Sequence, residues 1–153
     1  DPLTGLGNRR RMQLYIDKLS RKRKGEFSAI VFDIDDFKDI NDLYGHIYGD
    51  RVLIVISKIL EKSAGNKKIT CIRYGGDEFI VITPKEEVNE FIAKFKKLLS
   101  EFNDHKEFPS KIDVSIGVSE FTVNSEINME YIINTADKLM YEKKKLKKRN
   151  SNK

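Results

Sequence analysis

Acidic side chains beside backbone that a ligand can approach closely are the first chemistry this sequence offers. The stretch Arg73-Tyr74-Gly75-Gly76-Asp77-Glu78-Phe79 sets two carboxylates directly after two glycines, between the strand-like runs 69–72 and 79–82. Glycine accepts the positive φ of tight turns, so the pattern predicts a hairpin with Asp77 and Glu78 at its tip. Taken alone, those acids suit a solvated turn as well as a site. A second cluster decides: Phe32-Asp33-Ile34-Asp35-Asp36-Phe37-Lys38 closes the apolar run 27–32. Asp33 is expected at the C-terminal edge of a strand, with Asp35 or Asp36 opening and capping a helix. Carboxylates delivered from neighbouring strand ends suit Mg²⁺, which takes a few protein oxygens and completes its octahedron with phosphate and water. A helix start beside them offers N–H groups to an anion. Metal plus phosphate is the implied chemistry.

The frame around these residues reads as one domain over residues 1–153, long enough to bury a core. With 39% apolar and 35% charged residues the composition is that of a globular domain. No apolar run approaches the ~20 residues of a membrane span. The single cysteine, Cys71, reads as a buried, reduced thiol, which suits a cytoplasmic setting. The net charge of +5 is local: residues 143–153 carry +7 and no acid, leaving −2 for the rest. A broad nucleic-acid-binding face is therefore not expected. An RNA-binding sheet would also want exposed aromatics where this chain has Cys71, Ile72, Ile80 and Val81.

Residues 1–9 are turn-rich and open abruptly, as the start of a piece cut from a longer chain would. Met12, Tyr15, Ile16 and Leu19 recur at helical spacing and end in the basic run 21–24. The first strand, 27–33, is apolar on both faces, as in a central strand. A short helix is expected over 36–44, stopped by Gly45. From Val52 to Ala64 β-branched content argues for strand, but spacing and length argue for helix, which is the expectation here. After the hairpin, Val88, Phe91, Ile92, Phe95, Leu98, Leu99 and Phe102 mark an amphipathic helix. Ile112, Val114, Ile116 and Val118 alternate with polar residues as a half-buried strand. A last helix is expected from about 128 to 147, with 147–153 a basic tail. The succession predicts an α+β, ferredoxin-like or nucleotidyl-cyclase-like layer of helices on a mostly antiparallel sheet.

Five motifs in order now carry a resemblance: Asp1-x-Leu3-Thr4-x-Leu6-x-Asn8-Arg9; Phe32-Asp33-x-Asp35-x-Phe37-Lys38-x-x-Asn41-Asp42; Gly45-His46-x-x-Gly49-Asp50; 73–79; and Ser115-Ile116-Gly117-Val118-Ser119. Over almost its whole length the chain resembles the GGDEF family of diguanylate cyclase domains, which condense two GTP into cyclic di-GMP. The resemblance implies Asp33 and Asp77 as carboxylates for Mg²⁺ (or Mn²⁺), helped by the carbonyl of Ile34. Glu78 would join the second ion or assist deprotonation of the attacking 3′-hydroxyl. It implies that Gly75 and Gly76 let the nucleotide approach the backbone. The N–H groups of Asp36 and Phe37, with the Lys38 ammonium, would hold the β- and γ-phosphates. Asn41 and Asp50 would read guanine, and Lys144 would contact phosphate. Two domains must oppose their sites, so a homodimer is needed for turnover. The resemblance also implies an upstream sensor or coiled-coil region, in a parent open to membrane anchoring. A catalytically silent GTP-binding module with a regulatory role is the alternative.

Two departures matter. An inhibitory product site in many relatives reads Arg-x-x-Asp, where this chain has Asn66-Lys67-Lys68-Ile69, so no inhibition through that site is expected. Where relatives have Gly followed by Lys or Arg, this chain has Lys147-Lys148; Lys148 (or Arg149) stands as a second phosphate contact whose placement the lost glycine alters. His46, between two glycines, reads as a structural hydrogen-bonding residue rather than a catalytic acid.

Overall fold

A computed structural model describes residues 1–22, 25–65, 68–124 and 126–151. The elements are α1 (Arg9–Lys22), β1 (Gly25–Ile34), α2 (Phe37–Tyr44), α3 (His46–Ala64), β2 (Thr70–Gly75), β3 (Glu78–Pro84), α4 (Val88–Asp104), β4 (Val114–Val123) and α5 (Met129–Ser151), with a 3₁₀ turn over Lys85–Glu87. The four strands form one sheet in the order β2-β3-β1-β4, every pairing antiparallel. The links β1-α2-α3-β2 and β3-α4-β4 each skip one strand, which is the split β-α-β arrangement of a ferredoxin-like fold. The expected α+β class therefore holds.

Helices cover both faces of the sheet. One core joins Phe32, Phe79 and Ile116 to α3 and α4, with the Phe32 and Phe95 rings 4.8 Å apart. The other joins Ala29, Val31 and Ile80 to α1 and α5. This explains the unbroken apolar run of β1, which is central and buried on both sides.

Several boundaries differ from the sequence expectation. Helix α3 begins at His46, so Gly49 and Asp50 lie on it rather than before it. Ile112 is buried but precedes β4; the Asn103 side chain replaces a strand partner, donating to the Ile112 carbonyl at 2.8 Å and accepting its N–H at 3.0 Å. Helix α5 continues past Lys147 to Ser151, because lysine and arginine are good helix formers that suit the negative end of the dipole. The first residues are wired to the sheet as well as turning. Gly7 bridges Ile72, the Arg73 N–H donates to the Gly7 carbonyl, and Asp1 pairs with Arg73 at 3.3 Å.

Candidate functional site

Strand direction brings the acids together. Because β1 and β3 run antiparallel, the end of one lies beside the start of the other, and Asp33 stands in register with Glu78. On its other side Asp33 is in register with Ser115 of β4. Gly76 takes φ +23 in the hairpin turn, whereas Gly75 is still paired with Glu78 in the strand, so only one of the two expected glycines makes the turn. Arg73 secures this turn by donating to the Gly76 carbonyl at 2.9 and 3.1 Å. A Cβ at Gly76 would meet nothing within 4 Å, leaving open approach to the backbone.

Burial first, then the neighbouring Asp33 carboxylate, push Asp77 up to about 6. Glu78 is pushed up to about 7 by burial, then by the neighbouring Asp137 carboxyl. Asp137 of α5 is the site residue that sequence reasoning missed. It lies seven residues, two helical turns, before Lys144, so both look from one face of α5. The seat of α5 is set by Gly117: a Cβ there would stand 2.0 Å from the Ala136 carbonyl. Asp33 Oδ1, Glu78 Oε1 and Asp137 Oδ1 are all buried without hydrogen-bond partners.

Cations approach from α5. The Lys144 ammonium sits 2.5 Å from Asp33 Oδ2 and 3.9 Å from Asp35 Oδ1. Lys147 reaches Asp35 Oδ2 at 2.9 Å and Asp113 at 3.4 Å. A cleft of about 770 Å³ opens here, lined in part by Asp36, Phe37, Lys38, Asp77, Lys144 and Lys148. The carbonyl of Ile34 belongs to the same strand end, where the Ile34 N–H donates to the Asp77 carbonyl at 3.3 Å.

The expected capping by Asp35 and Asp36 does not occur. Asp36 holds the N-cap position of α2 in the left-handed region (φ 55), without a side-chain cap bond. Asp35 instead accepts the Ser115 hydroxyl at 2.7 Å. The first N–H groups of α2 are thus left to another acceptor. Asn41 is half-buried against α3, and a Cβ at Gly49 would fall 1.9 Å from its Oδ1. Asp50 is exposed one residue further on. His46 is exposed, and its ring makes no hydrogen bond among the described residues, so the structural role expected of it is not met. The Cys71 thiol, pushed up to about 12 by burial, donates weakly to the Leu60 carbonyl. Asn66 and Lys67 of the missing product site lie outside the described residues.

Among the described residues no three or more His, Cys, Asp or Glu side chains are arranged to hold an ion unaided. Asp33 and Asp77 nonetheless offer facing oxygen donors, one without a partner, and Mg²⁺ commonly takes one or two carboxylates and fills the rest with phosphate and water. The donor set fits such an ion.

With a split β-α-β sheet and acids at a hairpin tip and an adjacent strand end in view, comparison with family models finds one, described as "Diguanylate cyclase, GGDEF domain", that matches residues 1–151. The chain belongs to the GGDEF family. It is 37% identical over 137 residues to diguanylate cyclase A of Treponema denticola, covering 86% of this chain and 36% of that protein. Among solved structures it is similar to the coiled coil and GGDEF domain of DgcB from Caulobacter crescentus in complex with c-di-GMP (26% identity, TM-score 0.79, 95% of this chain and 80% of that one). It is also similar to the active GGEEF domain of a Vibrio cholerae diguanylate cyclase (29% identity, TM-score 0.71, 90% of each chain). The chain spans 36% to 42% of the length of the curated relatives it matches, some of which are described as membrane proteins of Staphylococcus aureus. No helix among the described residues is long and apolar enough to cross a membrane.

Proposed function

We propose that this domain condenses two GTP into cyclic di-GMP and two pyrophosphates when two copies oppose their sites. The meeting of the Asp33 and Asp77 carboxylates, beneath a cleft edged by the start of α2 and by Lys144, carries the reading. Asp33, Asp77 and the Ile34 carbonyl would hold Mg²⁺ (or Mn²⁺), with Glu78 beside a second ion. Such an ion, when bound, neutralises triphosphate charge and lowers the pKa of a coordinated hydroxyl. The N–H groups of Asp36 and Phe37 and the Lys38 ammonium take the β- and γ-phosphates, with Lys144 and Lys148 at the flank. Asn41 and Asp50 read the guanine edge, and Gly75 and Gly76 leave room for the nucleotide.

In each half-reaction the 3′-oxygen of one nucleotide bonds to the α-phosphorus of the other. The bond from that phosphorus to pyrophosphate breaks, and the hydroxyl proton passes to Glu78 or to water. Upstream in the parent chain, a sensor or coiled-coil region would bring two domains together. Anchoring of the parent in a membrane would leave this domain on the cytoplasmic side.

Incubation with Mg²⁺ and GTP tests the proposal. Cyclic dinucleotide and pyrophosphate should accumulate, and Asp33→Asn or Asp77→Asn should abolish both. Near-wild-type product from either variant would overturn the assignment. GTP binding without product at any protein concentration would leave the silent GTP-binding module as the function.

A further inference from the structure

Lys147 uses all of its donors on the protein. Its ammonium gives hydrogen bonds to Asp35 Oδ2 (2.9 Å), to the Val114 carbonyl (2.6 Å) and to Asp113 Oδ1 (3.4 Å). An ammonium has three donors, so none remains for a phosphate in this arrangement. Asp35 is equally committed. Its carboxylate, only 16% exposed, also accepts the Ser115 hydroxyl, and its N–H donates to the Asp113 carbonyl at 2.9 Å. Three segments therefore meet on one side chain: the end of α5, the start of β4, and the turn between β1 and α2. That turn includes Asp36, whose φ of 55 is a conformation a non-glycine residue keeps only when its surroundings impose it.

We propose that Lys147 is a positioning residue: with Asp35 it latches the β1–α2 turn, so that the first N–H groups of α2 are preorganised for the triphosphate of the nucleotide. The role rests on the proposed function but differs from direct phosphate contact. Preorganisation reduces the ordering cost of binding, so loss of the latch weakens the ligand without removing any atom that touches it. The deficit falls on phosphates bound by this turn, and the guanine contacts at Asn41 and Asp50, on α2 and α3, are spared.

Calorimetric titration of the 153-residue chain in Mg²⁺ with the α,β-methylene analogue of GTP, and separately with GMP, tests this. Lys147→Met should weaken the analogue about five- to tenfold and GMP by less than about twofold, while Lys147→Arg retains wild-type binding. Asp35→Asn should weaken the analogue by a similar factor, with no further loss in the double variant. If Lys147 served only as a positive charge, or swung onto the phosphates, Asp35→Asn would tighten binding by releasing it. Tightening, equal loss for both ligands, or no loss overturns the latch. Should Lys147→Met fail to fold, the direction of the Asp35→Asn change decides alone. Failure of the wild-type chain to bind the analogue would overturn the proposed function itself, and the latch with it.

Discussion

Burial and the neighbouring carboxyls of Asp33 and Asp137 make ionisation of Asp77 and Glu78 costly. Folded values near 6 for Asp77 and near 7 for Glu78 lie above the ordinary 3.8 and 4.5, so the folded state binds their protons more tightly than the unfolded chain. Their contribution to stability is complete below about pH 4 and is lost as pH rises through about 6 to 7. A divalent ion favours the charged forms instead. The thermal midpoint without divalent ions should therefore carry a downward component between about pH 5 and 8, and the increment from added Mg²⁺ should grow across the same interval. An increment independent of pH would contradict this. The pairing of Asp33 with the hairpin acids was legible as two acidic motifs. Asp137 was not, because a lone acid between core positions of a helix carries no motif, and only its two-turn spacing from Lys144 hints at a shared face.

At the scale of elements, two glycines hold helices against their neighbours with no room for a methyl group. Gly117 seats α5 on β4, and Gly49 seats α3 against Asn41. Gly49→Ala should displace the Asn41 amide, since the new Cβ would overlap its Oδ1 and the side chain must swing aside. The expected outcome is a fall in GTP affinity of about tenfold with little loss of stability, because the displaced atoms end a flexible side chain and alanine is the better helix former. Fluorescence titration with labelled GTP beside thermal melting checks both. Unchanged affinity would show that Asn41 does not hold the base. Hydrophobic spacing made these helices legible, but not their ends. The start of α3 at His46 rather than after Asp50 comes with packing of its first turn, where the Tyr44 and Tyr48 rings lie tilted, 4.7 Å apart.

For the molecule as a whole, the proposed function would give each copy half of a two-nucleotide reaction. Specific activity should rise with protein concentration and level off once the dimer dominates, as shown by initial rates over a dilution series in Mg²⁺ and GTP. A specific activity independent of dilution would mean either a dimer tighter than the range tested or turnover within one copy, and sedimentation at the lowest concentration separates the two. The sequence by itself determined the α+β class, the central strand, and the identity of the acids near the turn, because apolar periodicity and glycine placement are local properties of the chain. Tertiary structure alone decided which helices cover each face, that Asp137 joins the acids, and that Lys147 grips Asp35 rather than trailing in a basic tail. Those contacts join residues 59 to 112 positions apart, and which distant side chains meet depends on how strands pair and helices seat, which no local pattern encodes.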